Sequence, residues 1–162
     1  KQVSLFKRTL VIKGRMLIDN QGSLLWRMDA PLRYAMTLRK GVLRQWDEES
    51  GKVQTLSLRE IPAAAALLSN MQGWFTGNFG SSERDYTIRV EQESPVVISF
   101  KPRTAMPSFL KSVTLRMRDD ARYIQEVRLV EFSGDSSTLR FEQVILNGEI
   151  MPSDWEIPPP HE

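Results

Sequence analysis

Leu24-Leu25-Trp26-Arg27-Met28-Asp29-Ala30-Pro31 and Tyr34-Ala35-Met36-Thr37-Leu38-Arg39 are the stretches that decide the fold. Leu24, Trp26 and Met28 alternate with Leu25, Arg27 and Asp29, and Tyr34, Met36 and Leu38 alternate with Ala35, Thr37 and Arg39. Successive strand side chains point to opposite faces, so a period of two marks half-buried strands. Pro31 stops the first strand and Gly41 turns the chain after the second. Upstream, Val3 to Ile18 is rich in β-branched and aliphatic residues, with Gly14 where a strand bends or bulges, and reads as one long bent strand or two. Asp19-Asn20-Gln21-Gly22 is a turn, since Asn and Gly tolerate positive φ. Downstream, Leu43 to Trp46 and Val53 to Leu58 flank Asp47-Glu48-Glu49-Ser50-Gly51, a further hairpin. The first third is an antiparallel meander.

The period changes at Ile61-Pro62-Ala63-Ala64-Ala65-Ala66-Leu67-Leu68. Proline suits a first helical turn and alanine is the strongest helix former. Ile61, Ala64, Leu68 and Met71 recur at helical spacing, and Gly73 suits the position just past a helix end. Trp74 to Gly80 then puts three aromatics in a glycine-rich loop. Strands resume at Tyr86 to Glu91 and Val96 to Lys101, joined at Glu93-Ser94-Pro95, and continue through Val113 to Arg118, Tyr123 to Phe132 and Thr138 to Leu146. Pro102 to Phe109 is an irregular crossing. Ser153 is placed to cap a single turn that tucks Trp155 against the sheet.

A length of 162 residues suits one domain, spanning residues 1–162, with a real core. The charged fraction of 26% and apolar fraction of 41% are those of a globular protein. The formal net charge is only +2 and the basic residues are scattered along the strands, which excludes a nucleic-acid footprint. No apolar run is long enough to span a bilayer as a helix. The absence of cysteine removes disulfides, thiolate catalysis and cysteine-based zinc sites.

Catalytic material is scarce. The one histidine, His161, lies beyond three prolines, so serine–histidine catalysis and histidine metal binding have no candidate. Asp47, the pair Glu48-Glu49 and the pair Asp119-Asp120 fall in hairpin turns, where acidic residues serve backbone geometry. Gly73 to Gly80 follows a helix rather than a strand and lacks the lysine of a phosphate loop. Neither a catalytic residue, a metal nor a cofactor is assigned. What stands out is methionine at 16, 28, 36, 71 and 117 and tryptophan at 26, 46, 74 and 155, mostly on apolar sides of strands or helix. Flexible, polarizable methionine suits surfaces that accommodate variable apolar partners, although residues at such spacing are ordinarily core. A long meander with one helix leaves a large sheet face to bury, and a strongly twisted sheet of this strand count curls into a partial barrel. The helix and the aromatic loop are expected to cover its mouth.

In order and spacing, the sequence resembles the LolA-like superfamily of periplasmic lipoprotein carriers, in its divergent branch. The matching stretches are Gly14-Arg15-Met16-Leu17, Leu24 to Pro31 with its W-x-x-x-x-P spacing, Gly41, the helical segment Ala63 to Met71, Val113 to Met117 leading to Ile124-Gln125-Glu126-Val127, Gly134-Asp135 with Phe141, and Asn147-Gly148-Glu149-Ile150. The resemblance implies a mainly β (α+β) fold: an unclosed antiparallel β half-barrel with a small helical lid. It also implies a non-catalytic, periplasmic carrier or binder of lipoprotein acyl chains or a related lipid, working with inner- and outer-membrane partner proteins. The family's Arg-Pro pair before the strand tryptophan, whose arginine locks the lid, is replaced here by Asp19-Asn20-Gln21-Gly22-Ser23. The family's N-terminal helix lies upstream of the first strand, so that helix and a signal peptide are expected to be missing, disordered or removed.

Alternation points Trp26, Met28, Tyr34, Met36, Leu38, Ile88, Ile98, Leu115 and Met117 inward, and the resemblance makes the space between them a cargo site. Leu68, Met71, Trp74 and Phe75 are the expected lid. Two other classes compete: a cofactor-free small-molecule enzyme using Arg, Tyr and Glu on the same fold, and a lipid or lipoprotein sensor module.

Overall fold

The computed structural model describes residues 9–103 and 110–157. The described residues are mainly β, with two open five-stranded antiparallel sheets and one α-helix. The chain divides into two compact units, Lys1–Ile61 with Ile150–Glu162, and Pro62–Glu149.

The first unit holds β1 (Lys13–Ile18), β2 (Leu24–Ala30), β3 (Tyr34–Arg39), β4 (Val42–Asp47) and β5 (Val53–Ser57), paired in sequence order. Among the described residues, strand therefore begins at Lys13. Thr9 to Ile12 are not strand, and Leu10, Val11 and Ile12 are exposed; the earlier part of the expected strand lies outside the described residues. Gly14 sits at the expected irregularity, where the β1–β2 register shifts between Lys13 and Gly14. A Cβ at Gly14 would overlap the Arg27 carbonyl and lie 3.0 Å from Met28 Cα. The β1–β2 turn is held by Asp19 Oδ1, which accepts from the backbone N–H of Gln21 (2.9 Å) and Ser23 (2.7 Å), with Gly22 at positive φ. Lys40 and Gly41, at φ 50° and 76°, make the two-residue turn between the paired residues Arg39 and Val42. Positive φ at both central positions gives the twist that a tight hairpin requires.

Register sorts the first sheet into two faces. Leu24, Trp26 and Met28 share one with Tyr34, Met36 and Leu38; Leu25 and Arg27 share the other with Ala35, Thr37, Arg44 and Trp46. The second face, which the period of two assigned to solvent, is also buried: Leu25 is 2%, Ala35 1% and Trp46 7% exposed. The C-terminal segment accounts for this. A 3-10 turn at Pro152–Trp155 brings Trp155 and then Ile157 into the cluster formed by Leu25, Ala35 and Trp46, with Leu17 at its margin. Trp155 thus packs as expected, but the turn is held by Asp154, whose Oδ2 accepts from Met151 N at 2.8 Å, and not by Ser153.

The second unit opens with α1 (Pro62–Phe75) and continues through β6 (Tyr86–Glu93), β7 (Val96–Pro102), β8 (Leu110–Met117), β9 (Ile124–Glu131) and β10 (Ser136–Arg140). Strand order again follows sequence. The helix runs through Gly73 and ends two residues before Gly77, which takes the positive φ of 77°. Asn78 N–H donates to Gly73 O (2.8 Å) and Gly77 N–H to Trp74 O (3.2 Å), the paired bonds of a Schellman end. Gly77 therefore does what was expected of Gly73. Trp74 and Phe75 accordingly belong to the helix rather than to a loop. The last strand is shorter than expected, ending at Arg140, and Phe141 to Met151 is irregular. Most of the Pro102 to Phe109 crossing, residues 104–109, lies outside the described residues, as does His161.

Candidate functional site

The predicted ligand-lining residues of the first unit come together on one face. Trp26 lies directly opposite Met36 and Met28 opposite Tyr34, across β2 and β3, with Met16 opposite Trp26 on the other side. Leu24 (1% exposed) and Leu38 (2%) form a buried end of this patch, next to Leu43. Trp26, Met28, Tyr34 and Met36 are only half-buried. Directly opposed side chains lie about 5 Å apart, so the four form a contiguous surface of rings and thioethers.

Toward β4 and β5 the same face turns polar. Tyr34 Oη donates to Gln45 Oε1 at 3.3 Å, and Gln45 Nε2 donates to Gln54 Oε1 at 3.0 Å. Burial, and secondarily the Asp47 carboxylate, pushes the Tyr34 phenol above its ordinary pKa, so it stays a neutral donor. Asp47 itself holds the β4–β5 turn by accepting from Ser50 N–H and Ser50 Oγ, both at 2.7 Å. Those bonds, backbone first, hold its carboxyl below the usual carboxylate range. Asp47 thus serves backbone geometry.

In the second unit Ile88 pairs with Phe100, and Ile98 with Leu115, on one sheet face. Leu115 is fully buried; Ile88, Ile98 and Met117 are half-buried, with a register shift between Arg116 and Met117. The expected lid residues pack into this unit: Trp74 is 1%, Met71 2% and Leu68 8% exposed. The Trp74 ring lies 5.1 Å from Phe100 and 6.1 Å, edge-on, from Tyr86. Phe75 is half-buried and meets Phe141 edge-to-face at 5.2 Å.

Two features of this interior escaped the sequence reading. A buried polar relay runs from Trp74 Nε1 to Ser82 Oγ (2.9 Å), from Ser82 Oγ to Asn70 Oδ1 (2.6 Å), and from Asn70 Nδ2 to Ala66 O (2.7 Å) and Asp85 Oδ2 (3.4 Å). Asn70, a poor helix former in the middle of α1, was the available signal. Tyr86 lies 1% exposed, and its hydroxyl has no partner among the described residues. Burial, then the neighbouring Asp85, pushes its phenol up to about 12.

Among the described residues no group of three His, Cys, Asp or Glu side chains converges to hold a metal ion, and no helix is long and apolar enough to cross a membrane. The sequence matches no model of a known protein family and no curated protein.

Proposed function

We propose that the protein is a non-catalytic, periplasmic binder or carrier of lipoprotein acyl chains or a related lipid, with a LolA-like fold. The observation that carries this reading is the half-buried surface of Trp26, Met28, Tyr34 and Met36 on one face of the first sheet. On the other face the part at Leu25, Ala35 and Trp46 is already filled by Trp155 and Ile157 of the same unit, so that part serves as ordinary core. The Met-rich face ends at one side in buried leucines and at the other in the Tyr34–Gln45–Gln54 hydrogen-bond row. Such a gradient suits an amphiphile, with methylenes along the rings and thioethers and a polar end near the amides. Each methylene taken from water contributes about 0.8 kcal/mol, so an acyl chain crossing an aqueous compartment gains from such a surface. Two open antiparallel sheets and one helix agree with the resemblance to the LolA-like superfamily, from which the periplasmic location and the membrane partner proteins are taken.

Organic extraction of protein isolated from its own cells, followed by lipid mass spectrometry, tests this reading. Acyl-bearing lipid at a reproducible ratio to protein is expected. Preparations that are repeatedly empty and fail to bind an acylated peptide would overturn it.

A further inference from the structure

A second site lies on the opposite face of the first sheet, at the β3–β4 hairpin. A groove of about 340 Å³ is lined by Thr37, Arg39, Lys40, Val42, Arg44 and Trp155. That volume is at the lower end of the range that holds small ligands. Register fixes its floor: Arg39 pairs with Val42 and Thr37 with Arg44, so the four side chains occupy neighbouring positions on one face. Lys40 stands in the tight turn itself, at φ 50°, where Asn, Asp or Gly is the usual choice. Trp155, anchored on the Leu25, Ala35, Trp46 and Ile157 cluster, forms the wall, and the Arg39 guanidinium lies 5.1 Å from the centre of its ring.

The charge of this groove is one-sided. Elsewhere in the unit Arg27 has Asp29 and Arg33 has Glu48 within ion-pair range, whereas Arg39, Lys40 and Arg44 have no ion pair among the described residues. Among the described residues no carboxylate lines the groove, although Asp154 and Glu156 flank Trp155 in sequence and Asp154 is engaged by Met151 N–H. Three cations on adjacent positions repel one another unless an anion lies between them. Two guanidinium forks and an ammonium match a tetrahedral oxyanion with several acceptor oxygens. The groove is larger than a phosphate group, and the remainder is bounded by the Trp155 ring and by Val42, a 41% exposed valine.

We propose that this groove binds a phosphate ester, its oxyanion among Arg39, Lys40 and Arg44 and its organic part against Trp155 and Val42. The proposal does not depend on the acyl-binding reading, since the two sites use opposite faces of the sheet. Inorganic phosphate, glycerol 3-phosphate and vesicles of phosphatidylglycerol or phosphatidylcholine are the probes, followed by calorimetry for the soluble ligands and co-sedimentation for the vesicles. Arg39→Gln with Arg44→Gln is compared with a charge-matched control, Arg89→Gln with Arg116→Gln, whose side chains are exposed on the second sheet. Glycerol 3-phosphate is expected to bind more tightly than inorganic phosphate, and the groove variant to lose at least tenfold in affinity while the control loses less than threefold. Binding of the soluble ester without selective binding to phosphatidylglycerol assigns the site to free phosphate esters; selective, groove-dependent vesicle binding assigns it to lipid headgroups. Absence of binding by every phosphate-bearing probe, or an equal loss in the groove variant and the control, overturns the proposal. Circular dichroism of both variants establishes that each is folded before affinities are compared.

Discussion

Trp26 and Met36 face each other across β2 and β3, both half-buried, on the face of the first sheet that Trp155 and Ile157 do not fill. This pair separates binding from folding. Met36→Gln keeps the length of the side chain and makes its end polar, so acyl-chain affinity is expected to fall about tenfold, or about 1.4 kcal/mol, with a smaller change in unfolding free energy. Titration with a fluorescent fatty acid beside urea denaturation measures both. Leu68→Asp offers no such separation, because Leu68 is 8% exposed and the substitution would bury an unpaired charge.

Gly14 admits no side chain. A Cβ would strike the Arg27 carbonyl across the strand pair, a backbone neighbour that cannot swing aside. Gly14→Ala is expected to destabilise by about 3 kcal/mol, with the loss of amide protection concentrated in β1 and β2, measurable by hydrogen exchange. Gly134→Ala serves as a contrast: nothing lies within 4 Å of its Cβ, so its cost comes from the positive φ of 93° alone.

Ser82 links the indole of Trp74 to Asn70. Ser82→Ala removes the acceptor for Trp74 Nε1 and the donor to Asn70 Oδ1 at once, in a site where Ser82 is 0% exposed. Two buried groups left without partners cost about 2 kcal/mol or more, to be measured by thermal or urea unfolding.

Tyr86→Phe runs the other way. The hydroxyl is buried without a partner among the described residues, so its removal is expected to raise stability by about 1 kcal/mol. The phenol also carries a pH dependence. Its folded pKa of about 12 exceeds the ordinary 10.0, so the unfolded chain gives up its proton first. The associated stability is complete below pH 10 and lost between pH 10 and 12. Unfolding curves across that range should fall more steeply for the wild type than for Tyr86→Phe.

Much of the first sheet was legible because β2 and β3 alternate over six residues or more, and alternation carries face as well as strand. Trp26, Met28, Tyr34, Met36 and Leu38 do share one face. The burial of Leu25, Ala35 and Trp46 was harder to read, since it depends on a segment more than a hundred residues downstream. The consecutive Leu24-Leu25-Trp26 was its local trace, because a strand covered on both faces reads as a continuous apolar run. The helix end was misplaced because Gly73 and Gly77 both satisfy the local signal, and the carbonyl pairing that selects Gly77 has no signature in one residue. The groove beside Trp155 was hidden for the same reason as the buried second face: Arg39, Lys40 and Arg44 look like scattered surface charge until the C-terminal turn provides a wall.

Quenching of tryptophan emission by a brominated fatty acid is the most direct measurement of acyl binding at this face, because bromine quenches an indole only on close contact. A chain lying along Met28, Tyr34 and Met36 touches Trp26, so the wild type should show saturable quenching that Trp26→Phe abolishes while retaining its fold. No saturable quenching in the wild type, or the same quenching in Trp26→Phe, would contradict a cargo site on this face.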